Sequence, residues 1–245
     1  MAGHSKWANT KHRKARSDAK KGKIFSRLAK EIISSIKVGG NSDPKSNPRL
    51  RLALQKARVA NVPNDIIDRN IKKASSADQA DYHEMTYELY GHGGVGLILD
   101  IMTDNKNRIA SEIRIATNKR GGTIATPGAV AFNFDRKGVI QISKKHAIED
   151  ELFKAAIEAG AEDFEAVEDL YIITTAVEDL FAVKEAIGHL GFPCDEAEIE
   201  MIPKSYVECD LETAKSNLAL VDWLEQLDDV DAVHHNMKIP DELQT

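Results

Sequence analysis

Near residue 80 the spacing of the apolar residues changes, and with it the kind of structure the chain can form. Before that point the period is helical. Ile24, Leu28, Ile32 and Ile36 recur every four residues, with Phe25, Ala29 and Ile33 beside them, which predicts an amphipathic helix over 18–38. Gly39 and Gly40 end it in the manner of a C-cap. Asn47 followed by Pro48 is a start signal for a second helix reaching about Ala60, with Leu50, Leu54 and Ala57 turned inward. The turn Asn61-Val62-Pro63 leads to a third helix over 64–75, anchored by Ile67 and Ile71. From Tyr82 the period is two. Strands are predicted over 82–90 and 95–102, then a helix over 106–119 closed by Gly121-Gly122, then a strand over 130–135.

Residues 136–204 carry a complete pattern of their own: strand 138–143, helix 147–159, strands near 163–168 and 170–175, helix 177–190 and a strand near 195–202. That order is βαββαβ, the ferredoxin-like arrangement. The tail offers a short strand near 206–209, a helix over 211–227 and a strand near 230–237, too little for a domain. Joined to 82–135, it supplies the missing elements of a second α/β unit. The expected fold is therefore α+β: a basic three-helix N-terminal domain (1–78), then two α/β domains of ferredoxin-like type, one inserted in the other (79–135 plus 205–245, and 136–204). The termini of such a unit lie close together, so the insertion is geometrically easy.

The charge follows the same division. Up to Lys73 there are nineteen Lys and Arg against five Asp and Glu, a net of +14; the remainder carries fourteen against thirty-four, a net of −20. The overall −6 hides this segregation. One end of the chain is built to meet a polyanion. The densest part is 3–23, with eight Lys and Arg, one acid, one aromatic residue (Trp7) and no Leu, Ile, Val or Phe. Such a segment buries too little to offset its ordering entropy alone, so it is expected to order on something negative. The candidate nucleic-acid-binding residues are Lys6, Trp7, Lys11, His12, Arg13, Lys14, Arg16, Lys20, Lys21, Lys23 and Arg27, with Arg49, Arg51, Lys72 and Lys73 on the helices behind them. A secondary basic track is formed by Lys106, Arg108, Arg114, Lys119 and Arg120. Cations would neutralise phosphates and release counterions, and Trp7 could stack on an unpaired base, which tilts the expectation toward RNA. The second and third helices also suit a helix-turn-helix, but Asp65 stands at the start of the third, where base-reading residues would face phosphates. Residues 138–204 are the opposite case, with five Lys and sixteen acids, and point to a protein-facing role.

Other motifs carry less. Gly91-His92-Gly93-Gly94-Val95-Gly96 fits the string GxGxxG, but a strand follows it where a dinucleotide site needs a helix, so a hairpin loop is expected. No GxxxxGK[ST] string is present. The eight histidines show no metal spacing, and His234-His235, adjacent in a strand, would point to opposite faces; surface or partly buried positions are expected. Cys194 and Cys209 are far apart, in keeping with a reducing cytosol. No apolar run of membrane-spanning length occurs. Neither a catalytic constellation nor a cofactor motif emerges, so no enzyme, cofactor or metal is expected.

Three stretches together, AGHSKWANTKHRKARSDAKKGKIFSRLAKEI, TDNKNR and GAVAFNFDRKG, resemble the YebC/PmpR family over essentially the whole chain. That family includes bacterial proteins labelled as transcriptional regulators and a mitochondrial translational activator of a cytochrome oxidase subunit. The resemblance implies three domains, a cytoplasmic location and no enzymatic activity. Its functional labels are of two kinds: DNA-binding transcription regulators, and ribosome-associated factors that relieve stalling at consecutive prolines. DNA is accordingly the first expected partner, with ribosomal RNA and the ribosome as the alternative. Two loops depart from the family pattern: Gly91-His92-Gly93 stands where YGPGG is usual, and Gly121-Gly122-Thr123-Ile124-Ala125 where a GGNLG-like stretch is usual.

Overall fold

The computed structural model describes residues 21–74, 82–167, 169–194 and 196–243. The helical part contains α1 (Lys21–Gly39), α2 (Pro48–Val59) and α3 (Asn64–Ala74). Leu28, Ile32, Ile33 and Ile36 of α1 are buried against Leu50, Ala53, Leu54 and Ala57 of α2 and against Ile67 and Ala74 of α3. Asn47 does two jobs at this junction. Its Oδ1 accepts the Leu50 N–H at 3.0 Å and caps α2, while its Nδ2 donates to the Ser35 and Asn41 carbonyls at 2.9 and 3.0 Å, fastening α2 to α1.

The first α/β unit follows: β1 (His83–Tyr90), β2 (Gly96–Thr103), α4 (Lys106–Arg120) and β3 (Thr123–Ile124). After an excursion into the second unit, the chain returns with β8 (Val207–Glu208), α7 (Leu211–Gln226), β9 (Val230–His235) and β10 (Met237–Lys238). The main sheet runs β3-β1-β2-β9, and its pairs are antiparallel; β8 and β10 make a short parallel pair. Leu89, Leu97, Leu99 and Ile101 face α4 and α7, meeting Ile109, Ile113, Leu220 and Leu224 in the largest core.

The second unit is β4 (Phe134–Ser143), α5 (Glu149–Glu158), β5 (Asp163–Val167), β6 (Leu170–Thr175), α6 (Leu180–His189) and β7 (Glu196–Pro203). Its sheet is ordered β5-β6-β4-β7 and is antiparallel throughout. That is the ferredoxin-like order for a βαββαβ chain. The first sheet has the same spatial order with one rewiring: β1 enters before β2-α4-β3 rather than after it. All strands of the second sheet lie between β3 and β8 in the chain, so one α/β unit is inserted in the other.

The structure corrects one sequence expectation here. Residues 130–135 do not form a strand separate from 138–143. Ala131–Asn133 is a 3₁₀ turn, and a single strand runs from Phe134 to Ser143. The cause is Glu88. Its buried carboxylate accepts the N–H groups of Gly128 and Val130 at 2.6 Å and of Ala131 at 2.8 Å, which withdraws those donors from any ladder. Burial alone would raise the pKa of Glu88; the three backbone donors outweigh it and hold the carboxyl below its ordinary value. Nor does Gly138 break the strand. A Cβ there would stand 2.4 Å from Thr175 Oγ1 and 2.8 Å from Leu180 Cβ, so the glycine lets α6 approach β4 closely.

Candidate nucleic-acid interface

The predicted arm residues Lys6, Trp7, Lys11, His12, Arg13, Lys14, Arg16 and Lys20 lie outside the described residues. Lys21 and Lys23 fall in the first turn of α1. The remaining predicted cations divide into two groups.

One group is committed to contacts within the molecule. Arg27 Nη1 donates to the Asp231 carbonyl at 3.0 Å. Arg49 pairs with the Glu84 carboxylate of β1 and donates to Ser34 Oγ at 3.3 Å. Arg108 donates through Nε and Nη2 to Asp229 Oδ2 and through Nη2 to Asp104 at 2.7 Å. Those bonds, the one to Asp229 first, raise the pKa of the guanidinium above its ordinary value. Lys30, which was not among the candidates, belongs here too: its Nζ lies 2.8 Å from Asp229 Oδ1 and 2.9 Å from the Asp228 carbonyl. Asp229 is thus a shared acceptor, 3% exposed, for Lys30 of α1, Arg108 of α4 and Thr103 of β2. Burial pushes its pKa up, but the bonds from Lys30, Arg108 and Thr103 prevail and keep it below the usual carboxylate value. Arg27 and Lys30 fasten α1, and Arg49 fastens α2, to the first α/β unit, while Arg108 is held within that unit; all four are poorly placed to take a phosphate.

The other group points to solvent. Arg51 and Arg58 are exposed on α2, seven residues apart and so on nearly the same side of the helix. Arg69, Lys72 and Lys73 are exposed together on α3, at i, i+3 and i+4. Arg69 makes a long, exposed pair with Asp65 at 3.8 Å, which contributes little. Arg58 and Arg69 were absent from the predicted set, although their positions off the apolar stripes could have included them. On the secondary track Lys106, Arg114 and Lys119 are exposed, while Arg120 lies over the Trp223 ring at 5.3 Å.

The glycine loop joins antiparallel β1 and β2 through a 3₁₀ turn, His92–Gly94, and a strand rather than a helix follows it. Its contacts are structural. Asn217 accepts the His92 N–H at 2.8 Å and donates to the His92 carbonyl at 3.0 Å. The His92 ring meets the Arg120 carbonyl at 2.6 Å, just before Gly121 turns left-handed at φ +79° to end α4. His234 and His235, expected at or near the surface, are both buried; His234 Nε2 lies 3.0 Å from Asp100 Oδ2. Among the described residues no group of three His, Cys, Asp or Glu is placed to hold a metal ion, and no helix is long and apolar enough to cross a membrane.

Comparison with known proteins bears on the whole chain. Residues 5–77 match the family model described as the TACO1/YebC protein N-terminal domain, and residues 82–237 the model described as the TACO1/YebC second and third domain. A protein of Protochlamydia amoebophila named "Probable transcriptional regulatory protein" is 75% identical over 244 residues, spanning 100% of this chain and 99% of its own. A protein of Chlamydia pneumoniae with the same designation is 56% identical over 238 residues, spanning 97% of this chain and 100% of its own. The crystal structure of a conserved hypothetical protein from Aquifex aeolicus aligns with a TM-score of 0.83 at 42% identity, covering 93% of this chain and 94% of that one.

Proposed function

We propose that this chain, which belongs to the TACO1/YebC family, is a non-enzymatic, nucleic-acid-binding regulator of gene expression. The observation that carries this is the segregation of charge. The N-terminal seventy-three residues hold a net of +14, and Arg51, Arg58, Arg69, Lys72 and Lys73 are exposed on α2 and α3. The basic segment 3–23 supplies phosphate contacts, and the exposed cations of α2 and α3 extend them. The names of the relatives favour DNA and transcription. One residue favours a second reading: Trp7, which would stack on an unpaired base but has little to do in a B-form groove, fits ribosomal RNA and a role in translation.

Titrating the full chain against duplex DNA and against a ribosomal RNA fragment over a range of salt tests the proposal. With five to eight phosphates engaged, log Kd should change with log salt at a slope of roughly 4 to 7 in magnitude. A flat response to salt would refute it. Trp7→Ala should weaken RNA binding more than duplex binding if RNA is the target, and equal losses would favour DNA. Co-sedimentation with ribosomes at low salt, against a discrete promoter footprint, assigns the cellular target.

A further inference from the structure

The inserted unit leaves one edge of its sheet open. β5 ends the order β5-β6-β4-β7, and among the described residues no strand pairs with its outer side. In an antiparallel ladder the backbone N–H and C=O groups of alternate residues turn to opposite sides. The Phe164 N–H turns outward, where the exposed Asp163 beside it accepts it through Oδ1 at 2.9 Å. Ala166, two residues on, presents its N–H to the same side and is exposed. Over this edge lies a flank of α5. Phe153 and Ile157, one turn apart, are 47% and 49% exposed. The Phe153 ring meets Phe164 of β5 edge-on at 5.4 Å, and Phe164 stacks on Tyr171 of β6 at the same distance. An apolar strip therefore runs from the core outward between α5 and the free edge of β5. Carboxylates rim it. Burial first, then the charges of Glu149 and Asp150, raise the pKa of Tyr171, so both acids of the first turn of α5 lie near the aromatic row. The segment 162–169 carries five acids and no Lys or Arg. Lys154, the one cation of α5, lies about 100° around the helix from Phe153.

We propose that the free edge of β5 and the flank of α5 above it form a docking site for a partner protein, which contributes an extended segment of alternating apolar and cationic residues as an added strand. Geometry is the first ground. Side chains of an added strand alternate between the two faces, so its apolar set lies against Phe153, Ile157 and Phe164 while its backbone takes the outward groups of Phe164 and Ala166. The bond from Phe164 to Asp163 is local and exposed, so exchanging it costs little. Exposure is the second ground. The apolar groups here are half-exposed, whereas Val139 and Ile172 on the reverse face of the same sheet are 3% and 4% exposed. Charge is the third, and it selects the occupant. Across 138–204 there are five Lys and sixteen acids. A surface of that sign repels a polyanion, so nucleic acid is not its partner. It also disfavours a second copy of this chain, because pairing two such edges would bring the acids of 162–169 together. A cationic segment meets the same charges favourably. The docking does not rest on the proposed function. It lies in a different unit from the basic helices, and would join a chain bound to nucleic acid to a second protein.

The test titrates the full chain, labelled with ¹⁵N, with a capped octapeptide of alternating Val and Lys. The expected result is a saturable set of amide shifts at 163–167 and around Phe153 and Ile157. Hydrogen exchange of the Phe164 and Ala166 amides should slow about tenfold at about nine-tenths occupancy, since only unbound chains then exchange. The same peptide with Glu for Lys should bind at least about tenfold more weakly, a difference that fades at about 0.5 M salt. Ala166→Pro removes an outward N–H at a sheet edge, where proline is tolerated, and should weaken binding about tenfold. Ile157→Ser, at a half-exposed helix position, should weaken it about threefold to tenfold. No shifts with the Lys peptide at about 2 mM, shifts confined to other parts of the chain, or equal binding of the Glu peptide would overturn the docking. Shifts without protection of Phe164 and Ala166 would overturn the added strand, as would unchanged binding in a folded Ala166→Pro. If that variant does not fold, the exchange of the parent and the binding of Ile157→Ser still decide. The same shifts produced by duplex DNA would overturn the assignment to a protein partner. Failure of nucleic-acid binding by the basic helices would sink the proposed function and leave these results as they stand.

Discussion

Asp231 shows what a single carboxylate does where the helical and α/β parts meet. Burial raises its pKa to about 6, against the partial relief given by Arg27 and Lys30. A carboxyl raised in the folded state binds its proton more tightly there than in the unfolded chain. Stability is therefore higher below about pH 4 and falls as pH rises through about 6. Asp231→Asn should remove this slope. In urea melts it should be more stable than the parent by about 1–3 kcal/mol at pH 7, and nearly equal to it at pH 4. A parent whose stability does not fall between those pH values would contradict the assignment. Neighbouring Asp229, whose pKa is lowered, loses its contribution only below the ordinary carboxylate range and so does not mask the effect. None of this was legible in the sequence. Arg27 and Arg51 look alike in a charge count, and nothing local says that Arg27 bonds a residue 204 positions away while Arg51 stays in water.

At the scale of elements, the periodic signals were readable and the donor bookkeeping was not. The stripes of α1 and α4, the Asn47-Pro48 start of α2 and the βαββαβ order each follow from local spacing. The stretch Ala129–Asn133 has an apolar pattern that suits a strand, yet its Val130 and Ala131 N–H groups are taken by Glu88, some forty residues earlier in the chain. The same limit applies to the interface, where a helix's exposed cations can be separated from its anchoring ones only once its partners are known. That distinction is measurable. Arg51→Ala with Arg58→Ala should reduce the salt slope of nucleic-acid binding by about 1 to 2 and leave the melting temperature nearly unchanged. Arg27→Ala with Arg49→Ala should do the reverse, costing about 1–3 kcal/mol of stability with little change of slope. If Arg27→Ala with Arg49→Ala lowers the slope as much as the α2 pair does, the inward-facing cations also touch phosphate and the division proposed for the interface is wrong.

Over the whole molecule, the helical part and the first α/β unit have separate apolar cores. What joins them is largely polar: Lys30 on Asp229 and the Asp228 carbonyl, Arg27 on the Asp231 carbonyl, and Arg49 on Glu84. Contacts of this kind are weaker than a continuous core, and units so joined tend to move or melt separately once the joint is loosened. We propose that residues 1–78 form one such unit. Lys30→Ala tests this, because Asp229 keeps Arg108 and Thr103 as partners and is not left as a bare buried charge. The variant should lose about 1–3 kcal/mol, and calorimetry should resolve an early transition for the helical unit ahead of the α/β remainder. A single undivided transition in Lys30→Ala would mean that the helices and the first sheet form one cooperative body. The outcome also bears on nucleic-acid binding, since α1 is both the anchored helix and the element from which the basic segment extends. Freeing α1 from Asp229 would leave the cations of 3–23 unchanged in number, while the helix from which they extend would no longer be fixed relative to the secondary track on α4. Binding by the separate parts would then persist, while any gain from engaging both tracks on one nucleic acid would be lost.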